Sequence, residues 1–309
     1  MKFSDKINCP PFLKQGDLVA ITSPAKYSDP ELIDNAANLL RKRGYKVWLG
    51  ENVTGSYGRF SGSDQERSCD FQKALDNEDV KAIICSRGGY GSVRLLDRLG
   101  WSGFRSEPKW ICGFSDITVF HNLAHLKGSA SVHSTVPLDF PKNDFNTPLE
   151  SLFDVLEGTP LHYKLNPEPE NIKGGAKACV TGGNLSVFTS LIGTKGDIDT
   201  RGKILFLEEV SEYDYKVDRM LNTLKYAGKL DDLAGLIIGG FSNIKTSDSG
   251  LRLKTRELIT EKIPKNKYPV CFNFPAGHIE ENMAFPFGEP AELNVEENNT
   301  YISFTHGRS

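Results

Sequence analysis

Ser115 stands in Gly113-Phe114-Ser115-Asp116, after an apolar run (Trp110, Ile111, Cys112) that reads as the end of a buried strand. Ile117 to Leu126 follows, with apolar residues at helical spacing and a stop at Gly128. A serine at such a turn exposes its hydroxyl where the unpaired N–H groups of a helix start point outward, and those groups can stabilise an oxyanion. Gly113 permits the tight turn. This is the logic of a nucleophile elbow, although Ile117 occupies the place of the second glycine in G-x-S-x-G. The bland alternative is an N-cap, with Ser115 or Asp116 satisfying the first turn of an ordinary helix.

A serine hydroxyl becomes a good nucleophile only when a base takes its proton, and a third group must orient that base. Among six histidines, His121 and His125 read as a helix face, His133 as a polar core residue on a strand, His162 as part of a linker and His306 as tail. His278 differs, because it follows the apolar strand Val270 to Phe274 and a Pro-Ala-Gly turn, in a loop of the kind that carries function. The acid candidates are Glu208 and Glu209, which finish the apolar run Ile204-Leu205-Phe206-Leu207. Neighbouring strand residues face opposite ways, so only one glutamate can point at a given site. Arg87-Gly88-Gly89-Tyr90-Gly91 is a glycine loop that could supply an oxyanion-hole N–H or cradle an anion. It lacks the spacing of either common nucleotide-binding glycine motif.

The elements that must position these residues alternate. Strands are expected in Gly16 to Ala25 (ending in a small-residue loop), at Lys46 to Leu49, at Val80 to Cys85 and up to Ser115, with helices from Ser28-Asp29-Pro30, Asp64 and Ser92 (to Leu99) between them. That alternation predicts a doubly wound parallel sheet, whose sites form beyond the carboxyl ends of its strands. From Pro137 to Gly175 the chain turns proline-rich, interrupted by one expected helix, Leu149 to Glu157. The domain crossing is placed at about Pro160 to Gly175, which divides the chain into an N-terminal α/β domain over 1–165 and a smaller C-terminal α/β domain over 175–309. The second half is again α/β, and Ala291 to Val295 with Thr300 to Phe304 reads as a closing antiparallel pair.

The 309 residues suffice for two cores, and 39% hydrophobic with 25% charged residues is ordinary for a globular protein. A net charge of -3 gives no electrostatic case for nucleic acid or an anionic membrane, and no apolar run approaches a bilayer span. The start of the chain carries no apolar signal segment, and six scattered cysteines form no C-x-x-C or zinc pattern. A reducing, cytoplasmic setting is therefore expected.

Taken in order, the motifs resemble the LD-carboxypeptidase family, serine peptidases that include muropeptide LD-carboxypeptidases and microcin C immunity peptidases. The matching segments are Gly16 to Ala25, Arg87 to Gly91, Gly113 to Asp116, Thr181-Gly182-Gly183-Asn184-Leu185, Leu205 to Glu209 through Asp218-Arg219-Met220-Leu221, and Phe274 to His278 with Pro286-Phe287-Gly288. The resemblance implies a Ser–His–Glu triad: Ser115 as nucleophile, His278 as base and then acid, Glu208 as the orienting carboxylate, Glu209 standing where the family usually has Asp. It also implies an oxyanion hole from the N–H of Asp116 with that of Gly88 or Gly89, and a site in the cleft between the domains. Arg87 and Tyr90 are candidate substrate contacts. No metal or organic cofactor is implied. The implied substrate is a murein tetrapeptide, cut between an L-centre of diaminopimelate or lysine and terminal D-alanine during peptidoglycan recycling. The alternatives are cleavage of an aminoacyl-nucleotide amide and a non-catalytic two-domain binding protein. A homodimer is compatible with all of these.

Overall fold

In the computed structural model, which describes residues 7–142, 144–246, 254–264 and 267–305, the short apolar runs of the first half become parallel strands. They are β1 (Leu18–Thr22), β2 (Lys46–Leu49), β3 (Val80–Cys85), β4 (Trp110–Gly113) and β5 (Ser131–His133), ordered β5-β4-β3-β1-β2. Helices α1 (Pro30–Arg43), α2 (Asp64–Asp76), α3 (Ser102–Ser106), α4 (Thr118–Leu126) and α5 (Thr147–Glu157) connect or follow them. The strand order reverses between β1 and β3, so the loops leaving those two strands flank the topological switch point at the sheet's carboxyl edge, where ligands bind in open α/β sheets. The helix ends are set locally. The Asp29 side chain accepts from Glu31 N–H at the start of α1, Pro30 opens it, and Gly44 closes it at φ 105°. A Ser63–Glu66 capping box starts α2.

The second unit contains β6 (Leu161–Leu165), β7 (Gly174–Asn184), α6 (Leu185–Ser190), β8 (Ile204–Val210), α7 (Asp214–Tyr226), β9 (Gly235–Ser242), α8 (Thr255–Lys262) and β10 (Val270–Cys271). After β11 (Phe285–Phe287), the chain adds β12 (Pro290–Val295) and β13 (Thr300–Phe304). The sheet runs β10-β9-β8-β7-β12-β13-β6, parallel from β10 to β7 and antiparallel beyond. Leu205 and Leu207 of β8 pack with Val217, Leu221 and Leu224 of α7 and Leu258 and Ile259 of α8. Each such side chain stabilises the unit by about 1.5–3 kcal/mol through burial.

The sequence-based divide differs from the structure in two places. One unit takes the chain up to Thr159 together with Met283–Gly288, and the other takes Pro160–Asn282 together with the chain from Glu289. The segment read as linker contains β6, which pairs with β13 from Leu161↔Phe304 to Leu165↔Thr300. Phe285-Pro286-Phe287, read only as a motif, returns to the first unit as β11, an antiparallel edge strand on β5 with Phe285 opposite His133. Proline suits that place, because an edge strand can spare a donor. The helix expected over Ser92 to Leu99 is a 3₁₀ turn, Ser92–Leu95, closed by Leu96 N–H to Val93 O.

Candidate active site

The chain leaves β4 through Gly113 at φ 152°, and Ser115 then adopts φ 65°. A left-handed serine costs on the order of 1–3 kcal/mol and persists only where its surroundings impose it. Those surroundings are specific. A Cβ on Gly113 would lie 3.0 Å from Ile117 Cγ1, so the first glycine admits the close turn and Ile117 fits beneath it. Thr118 Oγ1 donates to Ser115 O at 2.7 Å, and Ile117 N–H donates to Phe114 O at 3.2 Å. The N-cap alternative does not hold, since neither the 3₁₀ turn Ser115–Ile117 nor α4 has a side-chain cap hydrogen bond. Asp116 is buried, and its carboxylate instead accepts the N–H of Ser92 at 2.8 Å. Burial raises the Asp116 carboxyl above the usual range, and the Ser92 hydrogen bond opposes this.

His121, read from sequence as part of a helix face, is buried inside the first unit. Its Nε2 lies 2.9 Å from Gly113 O and its Nδ1 lies 2.9 Å from Ser131 Oγ. A carbonyl only accepts, so Nε2 carries the proton and Nδ1 accepts from the serine. The imidazole thus holds the last carbonyl of β4, two residues before the nucleophile candidate. Burial pushes its pKa down to about 4. His133 is buried and stacks on Phe285 with ring centroids 4.9 Å apart, as a core histidine should. His306 lies outside the described residues.

The glycine loop runs against the elbow. A Cβ on Gly88 would lie 2.8 Å from Ser115 Cβ and 3.1 Å from Asp116 N, so only glycine allows the approach. Gly89 has φ 112°, and a Cβ there would strike the Lys26 side chain. Arg87 donates from Nη1 to Tyr27 O at 3.2 Å. Tyr90 is 42% exposed and sits 6.0 Å from the Phe60 ring, with the Arg59 guanidinium 5.7 Å from its centroid. The first unit therefore assembles Ser115, Asp116, Gly88, Gly89, Arg87 and Tyr90 at one edge of its sheet.

In the second unit His278 Nδ1 lies 2.7 Å from Glu208 Oε2, and the His278 backbone N–H reaches the same oxygen at 3.2 Å. A carboxylate accepts, so the proton sits on Nδ1 and Nε2 presents its lone pair. Glu208 is fully buried, and its Oε1 has no hydrogen-bond partner among the described residues. The backbone places the pair in two ways. The β8–β9 ladder shifts register between Leu207 and Glu209, so Glu208 sits at a bulge of the kind that re-aims side chains. Gly277, at φ 113°, lets the chain pass so close that an added Cβ would fall 2.9 Å from Glu208 Oε2. Asn282 Oδ1 accepts the Gly277 N–H at 2.8 Å, and Ser242 Oγ donates to His278 O at 2.7 Å. Sequence reading missed both of these residues, because neither stands in a spacing that marks chemistry.

Glu209 faces the other way. It accepts from Ser186 N–H and Val210 N–H, each at 2.8 Å, and from Asn184 Nδ2 at 3.2 Å. It ties the start of α6 to β8. Burial raises its pKa, which those hydrogen bonds oppose.

The family model for the LD-carboxypeptidase N-terminal domain matches residues 19–134, and that for the C-terminal domain matches residues 177–293. The chain belongs to the LD-carboxypeptidase family. It is 34% identical over 95% of its length to a probable murein peptide carboxypeptidase of Bacillus subtilis, covering 93% of that protein. The crystal structure of muramoyltetrapeptide carboxypeptidase from Oxalobacter formigenes matches with TM-score 0.85 at 28% identity, over 93% of this chain and 98% of that one. MccF in complex with glutamyl sulfamoyl guanosine matches with TM-score 0.84 at 20% identity, over 96% and 98%, a likeness of fold. The chain is thus a serine-type carboxypeptidase, a hydrolase with two α/β domains. No described helix is long and apolar enough to cross a membrane.

Proposed function

We propose that this LD-carboxypeptidase hydrolyses the amide between the L-centre of diaminopimelate or lysine and terminal D-alanine in murein tetrapeptides, in the cytoplasm, as a step of peptidoglycan recycling. The observation that carries the reading is Ser115, held in a left-handed conformation at the strand-to-helix turn of a chain with murein-peptide relatives. Ser115 is the nucleophile, His278 the general base and Glu208 its orienting carboxylate. Ser115 Oγ attacks the scissile carbonyl carbon while its proton passes to His278 Nε2. The resulting oxyanion is held by Asp116 N–H and an N–H of Gly88 or Gly89, whose N–H groups make no other backbone hydrogen bond among the described residues. The C–N bond then breaks as Nε2 returns the proton to the departing D-alanine amine. Water repeats the sequence on the acyl-enzyme, giving its proton to Nε2, and Ser115 is regenerated. Arg87 and Tyr90 contact the peptide at the rim of this edge.

A second reading rests on Tyr90, an exposed ring flanked by Phe60 and Arg59, which is the kind of surface that would stack a nucleobase. One experiment separates the two. Purified protein is incubated with a murein tetrapeptide and, separately, with an aminoacyl-nucleotide conjugate, and the products are identified by mass. Release of D-alanine from the tetrapeptide is the expected result. Cleavage of the conjugate alone would replace the first reading by the second, and cleavage of neither would remove both.

A further inference from the structure

We propose that Lys26 reads the terminal carboxylate of the residue that leaves, and thereby makes the hydrolase specific for chain ends. This deepens the murein-tetrapeptide reading and depends on it. Lys26 lies in the loop after β1, and Gly88 and Gly89 lie in the loop after β3, the two loops that flank the reversal of strand order. The lysine stem crosses Gly89, where an added Cβ would lie 2.6 Å from Lys26 Cδ and 3.1 Å from Cε. One residue earlier, the corresponding position on Gly88 is 2.8 Å from Ser115 Cβ. Lysine and nucleophile therefore pack against consecutive residues, whose α-carbons are about 3.8 Å apart.

That spacing suits one group of a peptide substrate. In a C-terminal residue the carboxylate carbon is separated from the attacked carbonyl carbon by only N and Cα, at most about 4 Å in all. A cation bound to it sits about 3 Å further on. Its anchor must therefore be a close neighbour of the nucleophile, as Lys26 is. The loop is held in place: buried Arg67 donates to Pro24 O and, at 3.1 Å, to Gly91 O, tying the two loops together. A bridge between Lys26 and Phe60 fixes the backbone of the lysine itself. Lys26 makes no ion pair among the described residues, so its charge is not neutralised in place. Arg87 is the competing cation, but its Nη1 braces Tyr27 O and so supports the lysine's own loop.

The test compares a tetrapeptide ending in D-alanine with the same peptide ending in D-alanine amide. Wild type, Lys26→Met, Lys26→Arg and Arg87→Met are assayed, and Ser115 labelling by a small fluorophosphonate serves as a control. Wild type is expected to favour the free carboxylate by about tenfold to a hundredfold in kcat/KM, the range of one hydrogen bond to a charged group. Lys26→Met should lose that preference through a raised KM, with kcat changed by less than about threefold. Lys26→Arg should keep most of the preference, and the labelling rate should not change. A Lys26→Met enzyme that still prefers the carboxylate, or an Arg87→Met enzyme that alone loses the preference, overturns the inference. A wild-type protein that labels at Ser115 yet releases no D-alanine refutes the substrate reading itself, and that result appears before any lysine variant is made.

Discussion

Ser115 is placed by its backbone: a glycine at φ 152°, a serine at φ 65° and a second glycine loop within van der Waals reach. Glu208 and His278 are placed by side-chain and ladder chemistry: a bulge in β8, a 2.7 Å hydrogen bond, and Asn282 and Ser242 gripping the turn. Strain held locally survives removal of the side chain that bears it. A buried hydrogen-bonded pair does not, because taking away one partner leaves the other desolvated. The two regions should therefore answer substitution differently.

The largest expected effect is at Ser115. Ser115→Ala and Ser115→Gly should each lower kcat by roughly 10⁴-fold or more, because no acyl-enzyme can form. Their stabilities should part company. Alanine inherits the left-handed strain, whereas glycine adopts φ 65° freely and should raise stability by about 1 kcal/mol. Thermal melts of both inactive proteins check this. A glycine variant no more stable than the alanine variant would mean that the turn stores no strain, and turnover by either would remove the serine from the mechanism.

The next effect separates the two glutamates. Glu208→Gln should reduce kcat by roughly 10²–10⁴-fold, since an amide cannot hold the Nδ1–H tautomer or stabilise the imidazolium. Glu209→Gln should retain most activity and instead cost about 1–3 kcal/mol of stability, because Glu209 anchors Ser186 and Val210 N–H groups. Denaturant midpoints and steady-state rates on both variants give the comparison. A reversed pattern would assign the chemistry to the wrong face of β8.

How much of this was legible in sequence follows from the same contrast. The elbow could be read because a backbone device leaves a local signature, Gly-x-Ser between a strand and a helix. The parallel first sheet could be read because its strands are apolar runs alternating with periodic helices. Glu208 and Glu209 could be named as a pair, but their separate duties depend on what lies across each face of β8, which no local pattern records. The role of His121 was hidden for the same reason, since its partners Gly113 and Ser131 come from two other elements. β6 and β11 were missed because proline-rich flanks and a Phe-Pro-Phe run do not look like strands until their antiparallel partners, β13 and β5, are known.

The effect expected to touch activity least is a pH dependence of stability in the first region. His121 is held at a pKa of about 4 by burial, below the roughly 6.5 of an exposed imidazole. The unfolded chain thus binds the proton more readily than the native one. The contribution of a neutral His121 is complete above about pH 6.5, is lost progressively as pH falls toward 4, and amounts to roughly 3 kcal/mol in all. Asp116 and Glu209, whose carboxyls are raised by burial, act with the opposite sign, since their protonation favours the native state on acidification. The histidine must therefore be measured as a difference. His121→Gln keeps a donor for Gly113 O and removes the titration. Denaturant midpoints at intervals from pH 7.5 to 4.5 should show the wild-type advantage over His121→Gln shrinking with acid. Parallel curves would mean that the buried imidazole exchanges its proton at no cost to the elbow strand, and the positioning role assigned to it would fall.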